Sequence, residues 1–168
     1  RVMEVLQCEP VIKDGEHGAD TDIKGKVEFR NVSFAYPGMG DEKIIDDFSL
    51  TINPGETIGI LGETGCGKSS LVGLIPRFYD VTSGEVLVDD IDVRDYKLHA
   101  LRDKISIALQ KSEIFSESIK ENIAWGDKTA DDKEIEAAAG VAQAMEFIST
   151  RPDGMDTIVN QGGTSLSG

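Results

Sequence analysis

The run Gly62-Glu63-Thr64-Gly65-Cys66-Gly67-Lys68-Ser69 constrains the chain more than any other, because a glycine, four free positions and Gly-Lys-Ser form a phosphate-loop pattern. It follows the apolar run Thr57-Ile58-Gly59-Ile60-Leu61, which predicts a buried strand, and it opens Ser70-Leu71-Val72-Gly73-Leu74-Ile75, which predicts a helix. Strand, loop and helix in that order are the context the motif needs. Glycines let the backbone turn successive N–H groups inward, making an anion nest that ends on the positive end of a helix dipole. Lys68 would then set its ammonium on the outer phosphates and the Ser69 hydroxyl would ligate magnesium.

At 168 residues the chain suits one domain with a real core. Its formal net charge of −14 argues against a general nucleic-acid surface, which needs a basic face to neutralise phosphates. No run approaches the length that crosses a bilayer, and the first residues lack the order of a signal peptide, so the chain as given is expected to be soluble. Cys8 and Cys66 are far apart, and a disulfide at Cys66 would lock the phosphate loop, so a reducing compartment is the natural setting.

Arg1-Val2-Met3-Glu4-Val5-Leu6 has helical spacing without a start signal, and Pro10 stops it. Lys13 to Asp22 reads as an exposed linker. Val27 and Phe29, then Val32 and Phe34 after Asn31, alternate as a strand; Phe48, Leu50 and Ile52 repeat the period, predicting a small antiparallel sheet. Pro76 ends the phosphate-loop helix, and Thr82-Ser83-Gly84 turns the chain into Val86-Leu87-Val88. Only three apolar residues precede Asp89-Asp90, which fits a hairpin better than a magnesium-binding strand end. Leu98 to Asp103 predicts a short helix and Ile105 to Leu109 a strand ending at Gln110. Ile119 to Trp125 predicts a brief helix, and Asp131 with Glu134 starts a longer one reaching about Ile148.

Taken together, these motifs resemble the nucleotide-binding domain of exporter-type ABC transporters. Val32-Ser33-Phe34-Ala35-Tyr36-Pro37 is similar to the segment in which an aromatic stacks on adenine, so the resemblance gives Tyr36 that role. A phenol ring suits it, offering a flat face with no need for base-specific hydrogen bonds. Ser106-Ile107-Ala108-Leu109-Gln110-Lys111 is similar to the Q-loop, which implies that Gln110 contacts magnesium and the surroundings of the attacking water and links the site to the membrane domain. The end of the chain resembles the approach to the signature motif, carrying Leu166, Ser167 and Gly168; in the family that motif caps the ATP held by the opposite domain of a head-to-tail dimer. The family's second acidic motif, its catalytic glutamate and its switch histidine have no counterpart here, and His17 and His99 occupy no matching place.

The resemblance therefore implies an α/β fold: a P-loop NTPase core with an antiparallel β subdomain and an incomplete helical subdomain of about residues 112–168. Residues 1–24 would be the end of a preceding helix and a linker, and 25–168 the N-terminal part of the domain. ATP and Mg2+ are the implied ligands, with Tyr36, Gly62, Glu63, Thr64, Gly65, Cys66, Gly67, Lys68, Ser69, Ser70, Ser167 and Gly168 holding the nucleotide, Lys68 and Gln110 serving catalysis, and Ser69 and Gln110 the metal. The implied partners are a transmembrane domain of the same polypeptide, at the cytoplasmic face of a membrane, and a second nucleotide-binding domain. The segment itself is expected to bind nucleotide without hydrolysing it. Glu63 brings a negative charge into the loop and Asp90 stands where the family usually has glycine, so weak binding is a further expectation. Two other readings remain open: a small P-loop kinase using Asp89, and a nucleotide-binding or interaction module that has lost catalysis.

Overall fold

The computed structural model describes residues 3, 9–14, 18–38, 42–109 and 114–160. Cys8, His17, Met39 to Asp41, Gln110, and the run from Gln161 to Gly168 with Leu166, Ser167 and Gly168 lie outside the described residues, as does nearly all of the expected N-terminal helix. The chain divides into two compact units, Arg1–Ser106 and Ile107–Gly168.

The first unit is organised by an antiparallel sheet of β1 (Val27–Phe34), β2 (Ile45–Ile52), β3 (Ser83–Val88) and β4 (Ile91–Asp92), in the order β2-β1-β3-β4. The alternation in β1 slips by one residue at Asn31, and the ladders to both neighbours shift register there. Asn31 takes a left-handed backbone at φ 46°, which asparagine tolerates, and its side chain donates to Asp47 Oδ1 at 2.9 Å. Gly84 lies opposite this bulge with φ +80°. A Cβ there would stand 2.3 Å from the Asn31 carbonyl oxygen and 2.4 Å from that of Arg30, so only glycine lets β3 approach so closely.

β3 and β4 form the expected hairpin. Asp89 and Asp90 both take left-handed backbones, φ 48° and 66°, as a tight two-residue turn requires. The Asp89 carboxylate accepts backbone N–H bonds from Lys24, Gly25 (3.3 Å) and Lys26 (2.9 Å). Burial pushes this carboxyl up, but those three donors outweigh it and hold it below the usual aspartate range. Asp89 thus ties the chain entering β1 to the hairpin, which leaves the magnesium role of the kinase reading without support.

One face of the sheet buries Phe29, Val32, Phe34, Val86 and Val88 against helix α1 (Lys68–Leu74), which contributes Leu71 and Leu74, and against Val93, Tyr96 and Leu101. Leu101 belongs to α2 (Leu98–Arg102). Tyr96 is fully buried and satisfies its hydroxyl on the Val88 carbonyl at 2.9 Å.

The described residues of the segment ahead of β1 stay mostly exposed, as its composition predicts, yet the backbone is docked on the first unit. Ala19 pairs in parallel with Tyr96 through Ala19 N–H to Asp95 O (2.7 Å) and Lys97 N–H to Ala19 O (3.2 Å). Asp14 accepts from the N–H of Leu98 at 2.7 Å. Arg77, only 7% exposed, donates to the Lys13 carbonyl (3.1 Å), the Arg94 carbonyl (3.2 Å) and the Asp80 carboxylate (2.7 Å). Polar, glycine-containing sequence shows that a segment has little core of its own. It does not show whether its backbone finds partners elsewhere.

Two expected strands are absent as strands. Thr57–Leu61 and Ile105–Leu109 carry no ladder among the described residues; Leu61 is 97% exposed and Leu109 65%. An apolar run becomes a strand only when a neighbour presents N–H and C=O groups alongside it, and the paired strands of this sheet are elsewhere in the sequence.

The second unit is helical. α3 (Ile119–Ala124) starts in a capping box of Ser118 and Glu121, and α4 (Asp132–Val141) in one of Asp131 and Glu134. The expected single helix to Ile148 is instead two, because α4 stops at Val141, the chain turns at Gln143, and α5 (Met145–Ser149) begins anew. Gln143 takes φ 57°, with Ala144 N–H bonded to Ala139 O (2.9 Å) and Gln143 N–H to Gly140 O (3.0 Å). That pattern is a Schellman cap without its customary glycine. The break turns Ile148 back onto Ile119, Ala139 and Val159, the centre of this unit's core.

Candidate functional site

The phosphate loop leads directly into α1. Gly65 and Gly67 hold φ +88° and +90°, the left-handed region that turns the loop on itself. Gly67 is needed twice over: a Cβ there would come 2.8 Å from Ile44 Cγ2 and 3.1 Å from the Ile44 carbonyl oxygen. Its own carbonyl accepts from Leu71 N–H at 2.8 Å, so loop and helix are continuous. Gly62 faces Cys66, whose Sγ would stand 2.6 Å from a Cβ at residue 62.

Lys68 folds over the loop and donates to the carbonyls of Gly62 (2.9 Å) and Glu63 (2.6 Å), with Cys66 Sγ at 3.5 Å. The ammonium is therefore held against the turn that the motif assigns to the phosphates. Glu63, Thr64, Gly65, Cys66 and Ser69 are exposed, so the turn and the first helical hydroxyl open to solvent. A cavity of about 260 Å³ lies beside the loop, lined by Ile44, Phe48, Ile60 and Leu71 together with Cys66, Gly67 and Lys68. Asp46 also lines it; the hydrogen bond from Lys43 Nζ at 2.5 Å holds its carboxyl below the usual aspartate range.

Tyr36, 34 positions before Ser70 in the chain, follows β1 and reaches α1 through its hydroxyl, which lies 2.9 Å from Ser70 Oγ. Its ring is braced by Phe34 and Tyr79, with centroids 4.9 and 5.0 Å away and planes 76° and 89° apart. The fold thus gathers Tyr36, Gly62 to Ser69 and Ser70 around the start of one helix. Gln110, Ser167 and Gly168 are outside the described residues. Tyr79 carries no pattern that marks it in the sequence, since its place depends on the turn after Pro76 that lays it against α1. For magnesium, the Ser69 hydroxyl is an exposed hard oxygen at the mouth of the nest. That fits an ion which takes one or two protein oxygens and completes its shell with phosphate and water.

The model of the ABC transporter family matches residues 45–168. The chain is 47% identical over its whole length to YgaD of Bacillus subtilis, a protein named for multidrug export with ATP-binding and permease parts, and spans 29% of it. It is 41% identical, again over its whole length, to the ATP-dependent lipid A-core flippase of Syntrophus aciditrophicus, of which it spans 28%. A solved structure of a bacterial Atm1-family ABC exporter with ATP bound matches with a TM-score of 0.91 at 32% identity, over 99% of this chain and 29% of that one. The glycine loop, the helix it opens and the matches over nearly every residue lead to one conclusion: this chain belongs to the ABC transporter family, as part of an exporter-type nucleotide-binding domain with a P-loop α/β fold.

Proposed function

We propose that the chain binds ATP with Mg2+ as the nucleotide-binding portion of an exporter whose whole polypeptide couples ATP hydrolysis to moving a substrate across a membrane. The observation that carries this is the loop at the head of α1, with Gly65 and Gly67 in left-handed backbone and Lys68 poised over it. A turn built on left-handed glycines, with one ammonium beside it, suits a polyphosphate. Tyr36 is hydrogen-bonded to the same helix at Ser70 and supplies the ring on which adenine stacks.

Within that reading, the amides of residues 62–69 and Lys68 neutralise the phosphate oxygens, and Ser69 offers the metal an oxygen. Magnesium supplies charge neutralisation to the phosphates when bound. Gln110 is assigned to the metal and the attacking water, and Ser167 and Gly168 to the ATP of a second nucleotide-binding domain arranged head to tail. A membrane domain of the same polypeptide is the partner that would feel these changes, at the cytoplasmic face. Among the described residues no helix is long and apolar enough to cross a membrane. The test is calorimetry on a folded sample. Mg–ATP uptake that Lys68→Ala weakens is the expected result, with no sustained phosphate release by this chain alone. No uptake at millimolar ligand refutes the proposal.

A further inference from the structure

We propose that Ser70 is a positioning residue for the base end of the nucleotide site, its hydroxyl fixing the Tyr36 ring in register with the phosphate loop. The inference rests on the nucleotide-binding reading above and adds to it how the two ends of the site are joined.

Ser70 is 7% exposed, and the bond its hydroxyl makes is to Tyr36 Oη at 2.9 Å. One turn further along the same face of α1 stands Gly73, where a Cβ would lie 3.8 Å from Phe78 Cδ2 and 3.9 Å from Tyr79 Cε2. The helix surface is low there, and Tyr79 lies against it. Tyr79 in turn braces Tyr36, with ring planes 89° apart. Phe78 N–H bonds the Gly73 carbonyl at 3.0 Å, which fixes the chain that carries Tyr79. Tyr36 is therefore located by α1 twice, by a hydrogen bond at Ser70 and by a ring packed over Gly73.

Lys68 and Ser69 open this same helix and face the phosphates. The residue that holds the aromatic directly follows the residues that hold the anion, on one rigid turn. Base and phosphates of a nucleotide are covalently joined within a limited reach, so a ring set in advance inside that reach saves the ordering that binding would otherwise require. Without the hydroxyl, the half-buried phenol is held by ring contacts alone, and base and phosphate subsites lose their common reference. A serine that served only to satisfy a buried polar group would affect stability and leave base recognition untouched.

Calorimetry with Mg–ATP and with Mg–tripolyphosphate, which has no base, separates these cases on the intact chain. The readout is the ratio of the two affinities. We expect Ser70→Ala and Tyr36→Phe each to lower that ratio by about three- to tenfold, the worth of one hydrogen bond. The double variant should fall no further than either single one, since both remove the same bond, and Ser70→Thr, which restores a hydroxyl, should recover most of the loss. Tyr36→Phe keeps the ring and tests the same bond from the other side should Ser70→Ala fold poorly. An unchanged ratio in both single variants, or additive losses in the double, overturns the inference while leaving nucleotide binding intact. No ATP uptake by the unaltered chain overturns both.

Discussion

Lys68 and Gly84 show how differently single residues constrain this chain. Lys68 is the one cation the loop motif assigns to the phosphates, and it already spans the turn from above. Lys68→Ala should weaken Mg–ATP binding by about 10- to 100-fold, the range for losing a charge-assisted hydrogen bond, as titration calorimetry would measure. Cys66 is exposed in the same turn, 3.5 Å from that ammonium. Alkylation there should block nucleotide binding and bound ATP should protect the thiol; equal labelling with and without ATP would count against the loop as the site. Gly84 carries no motif, yet its missing side chain is what lets β3 pass the bulge at Asn31. Gly84→Ala should destabilise the fold by about 2–3 kcal/mol in denaturant unfolding, combining a left-handed backbone with a clash against main chain that cannot yield. As a candidate, Lys68 was legible in the sequence because the loop spacing alone marks it. The importance of Gly84 was not, because it depends on a neighbour more than fifty positions away.

Elements were legible where their ends carry their own signals. Asp131 and Glu134 mark the start of α4, and the structure realises both halves of that capping box. The alternation of β1 even announces its bulge, by skipping a beat at Asn31. The end of α4 was not legible, since Gln143 takes a backbone that glycine would advertise. Gln143→Gly should therefore stabilise the second unit by about 1 kcal/mol, removing left-handed strain at a cap whose hydrogen bonds stay as they are. A thermal melt that falls or stays level would show that the glutamine side chain has a role of its own. The β3–β4 hairpin gives a pH dependence. The Asp89 carboxyl is depressed in the fold, so the unfolded chain binds more protons in acid. Its contribution is fully present above the ordinary aspartate value of about 3.9 and is lost as pH falls through the lower folded value. Asp89→Asn should lower stability at neutral pH and flatten that acid dependence, which melts between pH 2 and 7 would reveal.

At the scale of the whole molecule, the sheet and its helix form one core and the capped helices another, while two apolar runs have no ladder among the described residues. Amide exchange should report this division directly: slow in β1 and β3, fast in 57–61 and 105–109, which have no ladder to protect them. Slow exchange in those two runs would mean that they pair after all. What the sequence alone determined is the family, because the phosphate-loop pattern is a few contiguous residues whose spacing identifies it. The tertiary structure decided which apolar runs are strands, that the polar segment ahead of β1 is held by Arg77 and Tyr96, and that Ser70 meets Tyr36. Each of those depends on a partner distant in the chain, and local composition carries no record of which partner a backbone or a hydroxyl will find.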